Sequence, residues 1–233
     1  MDPKIVVIAI QGWSESKAAR NFSLARKELE NIPGVKVLIP EYLDATGKFT
    51  KFRSHKKVHE YAIVIRQAYD NVRREYPNAR IILVGHSLGG VIARYLHRTI
   101  SEISDKDLIL VAAPNHGIDY RTLGGPFGIV ALPVVELLAT RPLCNVPVFF
   151  QLLKGSKFLK VLNELPAKNA YYIVGSRDST VSRESADPFG TARVVDCDHH
   201  LIPRNPEKAA TSAIPEIVKI VKKELVKTET ASS

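Results

Sequence analysis

The stretch RIILVGHSLGGVIARYLHRT, residues 80–99, decides the fold. It opens with the apolar and β-branched run RIILV, which is typical of a buried strand, and it closes with apolar residues at helical spacing. Between the two lies Gly85-x-Ser87-x-Gly89. A serine in this setting is typical of a nucleophile elbow, a strained strand-to-helix turn that holds the hydroxyl at the top of a sheet.

The glycines of this stretch have a steric explanation. Side chains two residues before and two residues after the serine would collide in so sharp a turn, so Gly85 and Gly89 are expected to lack them by necessity. Gly90 is expected to let the following helix lie close to the strands. A short glycine pattern alone arises by chance, but a strand before it and a helix after it make the catalytic interpretation specific.

The rest of the chain alternates short β-branched runs with helical patterns, which predicts an α/β fold with a mostly parallel sheet. The six predicted strands are residues 4–10, 35–39, 80–84, 107–113, 171–174 and 192–195. Apolar residues at helical spacing predict helices at 18–32 and 58–72. Asn205 and Pro206 predict the start of a final helix that continues through Leu225.

The elbow GHSLGG and the segment AAPNHG at 112–117 resemble the lipase and esterase branch of the α/β-hydrolase superfamily. The resemblance in strand order and spacing extends from Lys4 to Leu225. It implies a three-layer α/β-hydrolase fold with a mostly parallel six-stranded sheet, forming a single domain over residues 1–233. It also implies an apolar lid or cap inserted after the fourth strand, at about 118–166.

In this superfamily the catalytic residues follow the chain order nucleophile, acid, histidine, each at the carboxyl end of a strand. Ser87 is the predicted nucleophile. Asp178, in GSRDSTVS after the fifth strand, is the predicted acid, which would hold the histidine in one tautomer and stabilise its charged form. The competing interpretation is a turn-forming Asp, which the neighbouring serines also favour.

Two adjacent histidines follow the sixth strand, and the spacing does not separate them cleanly. In lipases of this kind an apolar residue three positions after the base docks the next segment; Ile202 fits that role for His199, whereas His200 would need Pro203. His199 is therefore preferred as the base. Asp196 and Asp198 are rival partners for its imidazole, although their closeness in sequence favours loop or surface carboxylates.

Acyl transfer also needs donors for the oxyanion, and the resemblance assigns them to two backbone amides. One belongs to Leu88, directly after the nucleophile, and the other to Trp13, in the loop after the first strand. Many lipases have His-Gly before that second position, whereas this chain has Gln11-Gly12. How the loop is braced is therefore open.

The remaining histidines have less specific interpretations. His86, inside the elbow, is structural in relatives. His116 follows the fourth strand, where the family has no base, so a structural hydrogen bond is expected. His55, His59 and His97 lie in helical or basic surroundings and are expected to face solvent.

The charge composition of the chain indicates which kinds of binding partner to expect. Lys and Arg number 33 against 24 Asp and Glu, so 33 minus 24 gives a net charge of +9, which favours anionic partners or anionic lipid. The basic segment 47–57 is interpreted either as a solvated loop or as a membrane-surface contact, and no nucleic acid is expected.

Cys144 and Cys197, in no CxxC spacing, predict two free thiols. With no long apolar segment, a cytoplasmic location is expected.

Residues 123–153 carry only two charged side chains and many helix breakers. They are interpreted either as a lid over the serine or as a packed helical subdomain, and both would place an apolar wall beside an acyl chain.

The predicted function is a serine carboxylic-ester hydrolase for lipid-like or medium-chain acyl esters, with no metal or organic cofactor required. A thioesterase or acyltransferase using the same residues, or a non-catalytic binding module, remains open, as does the oligomeric state.

Overall fold

In the residues that the computed structural model describes, six strands form one sheet. These residues are 2–12, 22–42, 57–119, 147–199, 202, 206–208 and 210–231. The strands are β1 (Ile5–Ile10), β2 (Val35–Leu38), β3 (Arg80–His86), β4 (Leu108–Val111), β5 (Tyr171–Gly175) and β6 (Arg193–Val195). Their order is β2-β1-β3-β4-β5-β6, and each neighbouring pair is parallel. The predicted strands and the predicted α/β class are confirmed.

Helices connect the strands within the same described ranges. They are α1 (Ser23–Glu30), α2 (Val58–Glu75), α3 (Leu88–Thr99), α4 (Pro147–Leu152), α5 (Lys157–Asn163), α6 (Arg183–Ala186) and α7 (Ile214–Ala231). Short 3-10 helices occupy Asp105–Asp107 and Pro206–Lys208. The helices expected around 18–32 and 58–72 are present, with the first described from Ser23 onward.

Alternate residues of β1 face opposite sides of the sheet, as the pleat of a strand requires. Val6, Ile8 and Ile10 pack with buried residues of α2, α3, α4 and α5 on one side. Ile5, Val7 and Ala9 pack with those of α1 and α7 on the other. All six β1 residues are buried, which is why this strand reads as a continuous apolar run rather than an alternating one. The result is a three-layer arrangement with a core on each face.

The strands that follow β1 in the chain are added on both of its sides, so the strand order changes direction at β1. Strand β2 lies on one side of β1, and β3 lies on the other, with Ile10 paired to Gly85 at the carboxyl end. In open parallel sheets, ligands bind in the crevice at such a switch point. Gln11 and Ser87 follow directly after these two strands, so the loop after β1 and the elbow after β3 meet there.

The predicted start of the last helix is wrong. Helix α7 begins at Ile214, and Pro206 instead opens the separate 3-10 helix. The side-chain oxygen of Ser212 accepts a hydrogen bond of 3.2 Å from the Ile214 amide, and Pro215 lies in the first turn. Asn205 and Pro206 therefore do not mark the start of this helix, which lies eight residues after Pro206.

The described part of the insertion after β4 contains two short helices. They are α4 and α5, and the Ser156 side chain caps α5 by accepting a hydrogen bond of 3.2 Å from the Leu159 amide. Residues 120–146 of the expected 118–166 insertion lie outside the described residues, as do residues 47–56 of the basic segment. Of the described helices, none combines the length and apolar character needed to cross a membrane.

Candidate active site

The elbow after β3 has the strained backbone expected of it. Ser87 has φ 51° and ψ −121°, a left-handed conformation that costs energy in a residue with a side chain. Its amide donates a hydrogen bond of 2.9 Å to the Val111 carbonyl, and its carbonyl accepts one of 3.0 Å from Gly90. Backbone contacts on both sides therefore hold the strained residue in place.

The three glycines of the elbow leave no room for a side chain. A Cβ atom at Gly85 would lie 2.5 Å from the Gly89 carbonyl oxygen, and one at Gly89 would lie 2.1 Å from the Ile10 carbonyl oxygen. A Cβ at Gly90 would lie 2.4 Å from the Cβ of Ala113, in the segment after β4. The steric explanation given from the sequence is confirmed at Gly85 and Gly90, whereas the close contact at Gly89 is with the end of β1 and not within the turn.

His199 and Ser87 lie within hydrogen-bonding distance, although 112 positions separate them in the chain. His199 Nε2 is 3.0 Å from Ser87 Oγ. The imidazole is 16% exposed, so it is accessible enough to exchange protons while most of its surface is packed. Ile202, three positions further on, is buried among residues of α1 and α7. This docking is the role that favoured His199 over His200, which lies outside the described residues.

Asp178 completes a hydrogen-bonded chain of three side chains. Its Oδ2 lies 2.8 Å from His199 Nδ1, and its Oδ1 accepts bonds of 2.8 and 2.9 Å from the amides of Thr180 and Val181. Burial opposes ionisation of this 4% exposed carboxyl, but the bonds from His199 and the two amides outweigh it, and the Asp178 pKa lies below its ordinary value. A carboxylate only accepts, so Nδ1 donates and Nε2 is left to accept from the Ser87 hydroxyl.

One expected oxyanion donor lies beside the serine, and the other lies outside the described residues. Leu88 is the first residue of α3 and is fully buried, and amides at a helix start have no partner within the helix. Trp13 is not among the described residues, but Gly12 before it is. A Cβ at Gly12 would lie 3.1 Å from Ser87 Cβ, so the loop after β1 passes directly over the nucleophile.

Tyr42, which the sequence reasoning missed, braces this loop. Its hydroxyl donates a hydrogen bond to the Gln11 carbonyl, and its ring packs edge-on against Tyr61 of α2, with centroids 5.4 Å apart. Tyr42 is buried, so the bond is shielded from water. A tyrosine 31 positions from Gln11 carries no local signal of such a role. The Gln11-Gly12 loop is therefore braced by a residue that lies outside the loop.

Comparison with known proteins rests on structure. No family model matches the chain, and no curated protein matches it. The metagenomic carboxyl esterase MGS0156 superposes with a TM-score of 0.58 at 15% identity, over 97% of this chain and 77% of that chain. The Bacillus licheniformis lipase BlEst2 superposes with a TM-score of 0.56 at 15% identity, over 92% of this chain and 91% of that one.

A third similar structure is the phospholipase PlaB from Legionella pneumophila, with a TM-score of 0.55 at 17% identity. The match covers 79% of this chain, which spans less than half of PlaB, 45% of its length. The chain has the α/β-hydrolase fold. Identities this low carry the fold and no more, so the chemistry of the site has to be argued from its own residues.

The α/β-hydrolase fold brings some candidate residues to the site and leaves others away from it. Asp196, a rival partner for the imidazole, is 76% exposed and contacts Ser176 and Arg177 instead. His97 was expected to face solvent, and this is wrong: its side chain is 10% exposed and its Nε2 lies 2.9 Å from Asp105 Oδ1. Asp105 follows the end of α3, so the helical pattern alone did not reveal it.

The thiol of Cys197, two residues before His199, is a weak nucleophile at neutral pH. Burial, together with the adjacent Asp198 carboxylate, raises the pKa of the Cys197 thiol to about 11, so this free cysteine stays protonated at neutral pH. Within the described ranges of this α/β-hydrolase fold, no group of three or more His, Cys, Asp or Glu side chains is arranged to hold a metal ion.

Proposed function

We propose that the protein is a serine carboxylic-ester hydrolase that works through an acyl-enzyme. The observation that carries this proposal is the hydrogen-bonded chain from Ser87 Oγ to His199 Nε2 at 3.0 Å and from His199 Nδ1 to Asp178 Oδ2 at 2.8 Å. A hydroxyl, an imidazole and a carboxylate in this order form the arrangement that activates a serine for attack on an acyl carbonyl.

In the proposed reaction, Ser87 Oγ bonds to the carbonyl carbon of the ester while its proton passes to His199 Nε2. The ionised Asp178 stabilises the imidazolium that results. The amides of Leu88 and Trp13 stabilise the negative charge on the carbonyl oxygen. The intermediate then collapses, the bond to the alcohol oxygen breaks, and His199 returns the proton to that oxygen. Water, activated by His199 in the same way, releases the carboxylic acid and restores Ser87.

The proposed substrates are lipid-like or medium-chain acyl esters. Support comes from the apolar composition of residues 123–153, which belong to the insertion after β4. Exposed apolar surface is unfavourable by about 25 cal/mol per Å², so a segment of this composition gains by contact with an acyl chain or a lipid surface. The basic segment 47–57 would favour anionic lipid.

The test is hydrolysis of p-nitrophenyl esters of graded chain length by the wild type and by Ser87→Ala. We expect activity that peaks at medium chain lengths and falls by at least about 10³-fold in the variant. A fluorophosphonate should label the wild type on the peptide that contains Ser87. Equal activity of the two proteins would contradict the proposal. Matched thioesters and alcohol acceptors in the same assay distinguish hydrolysis of esters from thioester hydrolysis and acyl transfer.

The choice of base is tested by a pair of neighbouring variants. His199→Ala removes the imidazole that lies 3.0 Å from Ser87 Oγ, so it should abolish turnover. His200→Ala is the matched control and should retain most of it. Loss of turnover in the second variant alone would assign the base to His200 instead.

A further inference from the structure

We propose that His86 is a positioning residue that fixes the base relative to the nucleophile, by a hydrogen bond from its imidazole to the backbone carbonyl of His199. This inference rests on the proposed function. His86 Nε2 lies 2.9 Å from that carbonyl oxygen, and the two imidazole rings are 5.2 Å apart at their centroids. His86 itself is 3% exposed, so its side of this part-buried bond is shielded from water.

The direction of the bond follows from the groups involved. A backbone carbonyl only accepts, so His86 Nε2 carries the hydrogen. The bond is part-buried, so its loss is not fully offset by water, and it favours the conformation in which the loop after β6 reaches the elbow. The imidazole of His86 is a donor in this arrangement and takes no part in moving the substrate's protons.

The bond matters for catalysis because His86 and Ser87 are consecutive residues. The backbone of His199 is held by residue 86, and the ring of the same histidine meets Ser87 Oγ at 3.0 Å. The backbone and the ring of His199 therefore both contact residues at the carboxyl end of one strand, β3. The sheet fixes the register of β3 with β1 and β4. Movements of the loop after β6 are thereby prevented from lengthening the contact between the base and the nucleophile.

The ring of His86 is itself held in place on its other edge. A Cβ atom at Gly12 would lie 3.1 Å from His86 Nδ1, so the loop after β1 packs against the imidazole. His86 thus lies between the loop expected to supply an oxyanion donor and the loop that carries the base. A displacement of about 1 Å at a reacting group can cost about 10²-fold in rate, so one buried ring between these two loops has a large effect on turnover.

The test compares two substitutions of equal length. His86→Gln places an amide NH₂ near the position of Nε2 and keeps the donor, whereas His86→Met fills similar space without one. We expect His86→Met to lower kcat for a p-nitrophenyl ester about 10- to 100-fold with KM changed less than about twofold, and His86→Gln to recover most of the loss. The rate of inactivation by a fluorophosphonate should fall in parallel with kcat, since it reports activation of Ser87.

His97→Met is the matched control, because His97 is also a largely buried histidine of this region but pairs with Asp105 away from the site. It should lower the melting temperature without changing kcat. Should His86→Met not fold, His86→Asn takes its place: the amide is the same but one methylene shorter, and it should behave as Met does. Equal kcat in folded Gln and Met variants would overturn the positioning role. Equal activity of Ser87→Ala and wild type would instead overturn the proposed function, and this inference with it.

Discussion

The hydroxyl of Tyr42 donates a hydrogen bond to the backbone carbonyl of Gln11, one residue before the glycine that lies over Ser87. The bond joins the segment after β2 to the loop expected to supply an oxyanion donor. Donors to an oxyanion act only when they are already oriented, because reorientation during the reaction would cost the energy they supply. In the proposed reaction Tyr42 would therefore act indirectly, by holding the backbone of the loop after β1.

Replacing Tyr42 by Phe should lower kcat about tenfold with little change in KM, because the loop loses its brace while its amides remain. The matched control is Tyr172→Phe, since the Tyr172 hydroxyl donates a buried bond of 2.8 Å to the Ala167 carbonyl away from the site. Both variants should lose about 1–2 kcal/mol in the free energy of unfolding. Equal kcat values in the two variants would show that the brace has no catalytic effect.

Gly89→Ala should be among the most damaging single-methyl additions to the chain. The added Cβ would meet the Ile10 carbonyl oxygen at 2.1 Å, and a strand backbone cannot move aside as a side chain can. We expect a loss of more than about 4 kcal/mol in the free energy of unfolding, measured by denaturant titration, or no folded protein. Gly190→Ala is the control: its φ of 68° strains a side chain but its surroundings are open, so about 1 kcal/mol is expected.

Asp178→Asn should reduce kcat by about 10⁴-fold, because an amide can present its NH₂ to Nδ1 and so favour the wrong tautomer of His199. Asp196→Asn is the control, since Asp196 lies nearer to His199 in sequence but is exposed and contacts Ser176 and Arg177. Its kcat should be that of the wild type. A large loss in Asp196→Asn, with Asp178→Asn active, would exchange their roles.

Much of the fold and most of the site were predictable because the determining constraints are local in sequence. The glycines at 85, 89 and 90 show where the backbone passes too closely for a side chain, and the apolar runs show which strands are buried on both faces. Strand order then brings the ends of β3, β5 and β6 to one edge, where Ser87, Asp178 and His199 lie. None of these inferences requires knowledge of a specific contact between residues that are distant in sequence.

What could not be predicted depends on such contacts. The pairing of Tyr42 with Gln11 and of His86 with the His199 carbonyl are bonds from side chains to distant backbone, and backbone carbonyls are present in every sequence. The pairing of His97 with Asp105 could not be predicted for a related reason: the chain turns back after α3 and brings Asp105 close to His97. The start of helix α7 could not be predicted from Pro206, because this proline opens a separate 3-10 helix before the helix that begins at Ile214.

Glu224 supplies a prediction about acid stability at the opposite end of the sheet. It is fully buried in α7 and accepts bonds of 2.5 Å from each of Arg80, Tyr171 and Lys227. Burial opposes its ionisation, but these three donors outweigh burial and lower the Glu224 pKa from 4.5 to about 2. Glu224→Gln removes the charge while Arg80 stays partly buried, so the free energy of unfolding should fall by about 3 kcal/mol at neutral pH.

The pH dependence follows from the sign of that shift. Because the folded protein binds this proton more weakly than the unfolded chain does, the contribution of Glu224 is complete above pH 4.5 and is lost as the pH falls towards 2. Thermal unfolding from pH 6 to pH 2 should therefore show a shallower decline in Glu224→Gln than in the wild type. Glu229→Gln, on the same helix but 45% exposed and paired with Lys4, should follow the wild type. Parallel curves for all three proteins would mean that Glu224 titrates normally, since only a group whose pKa differs between the folded and unfolded states can tilt the profile.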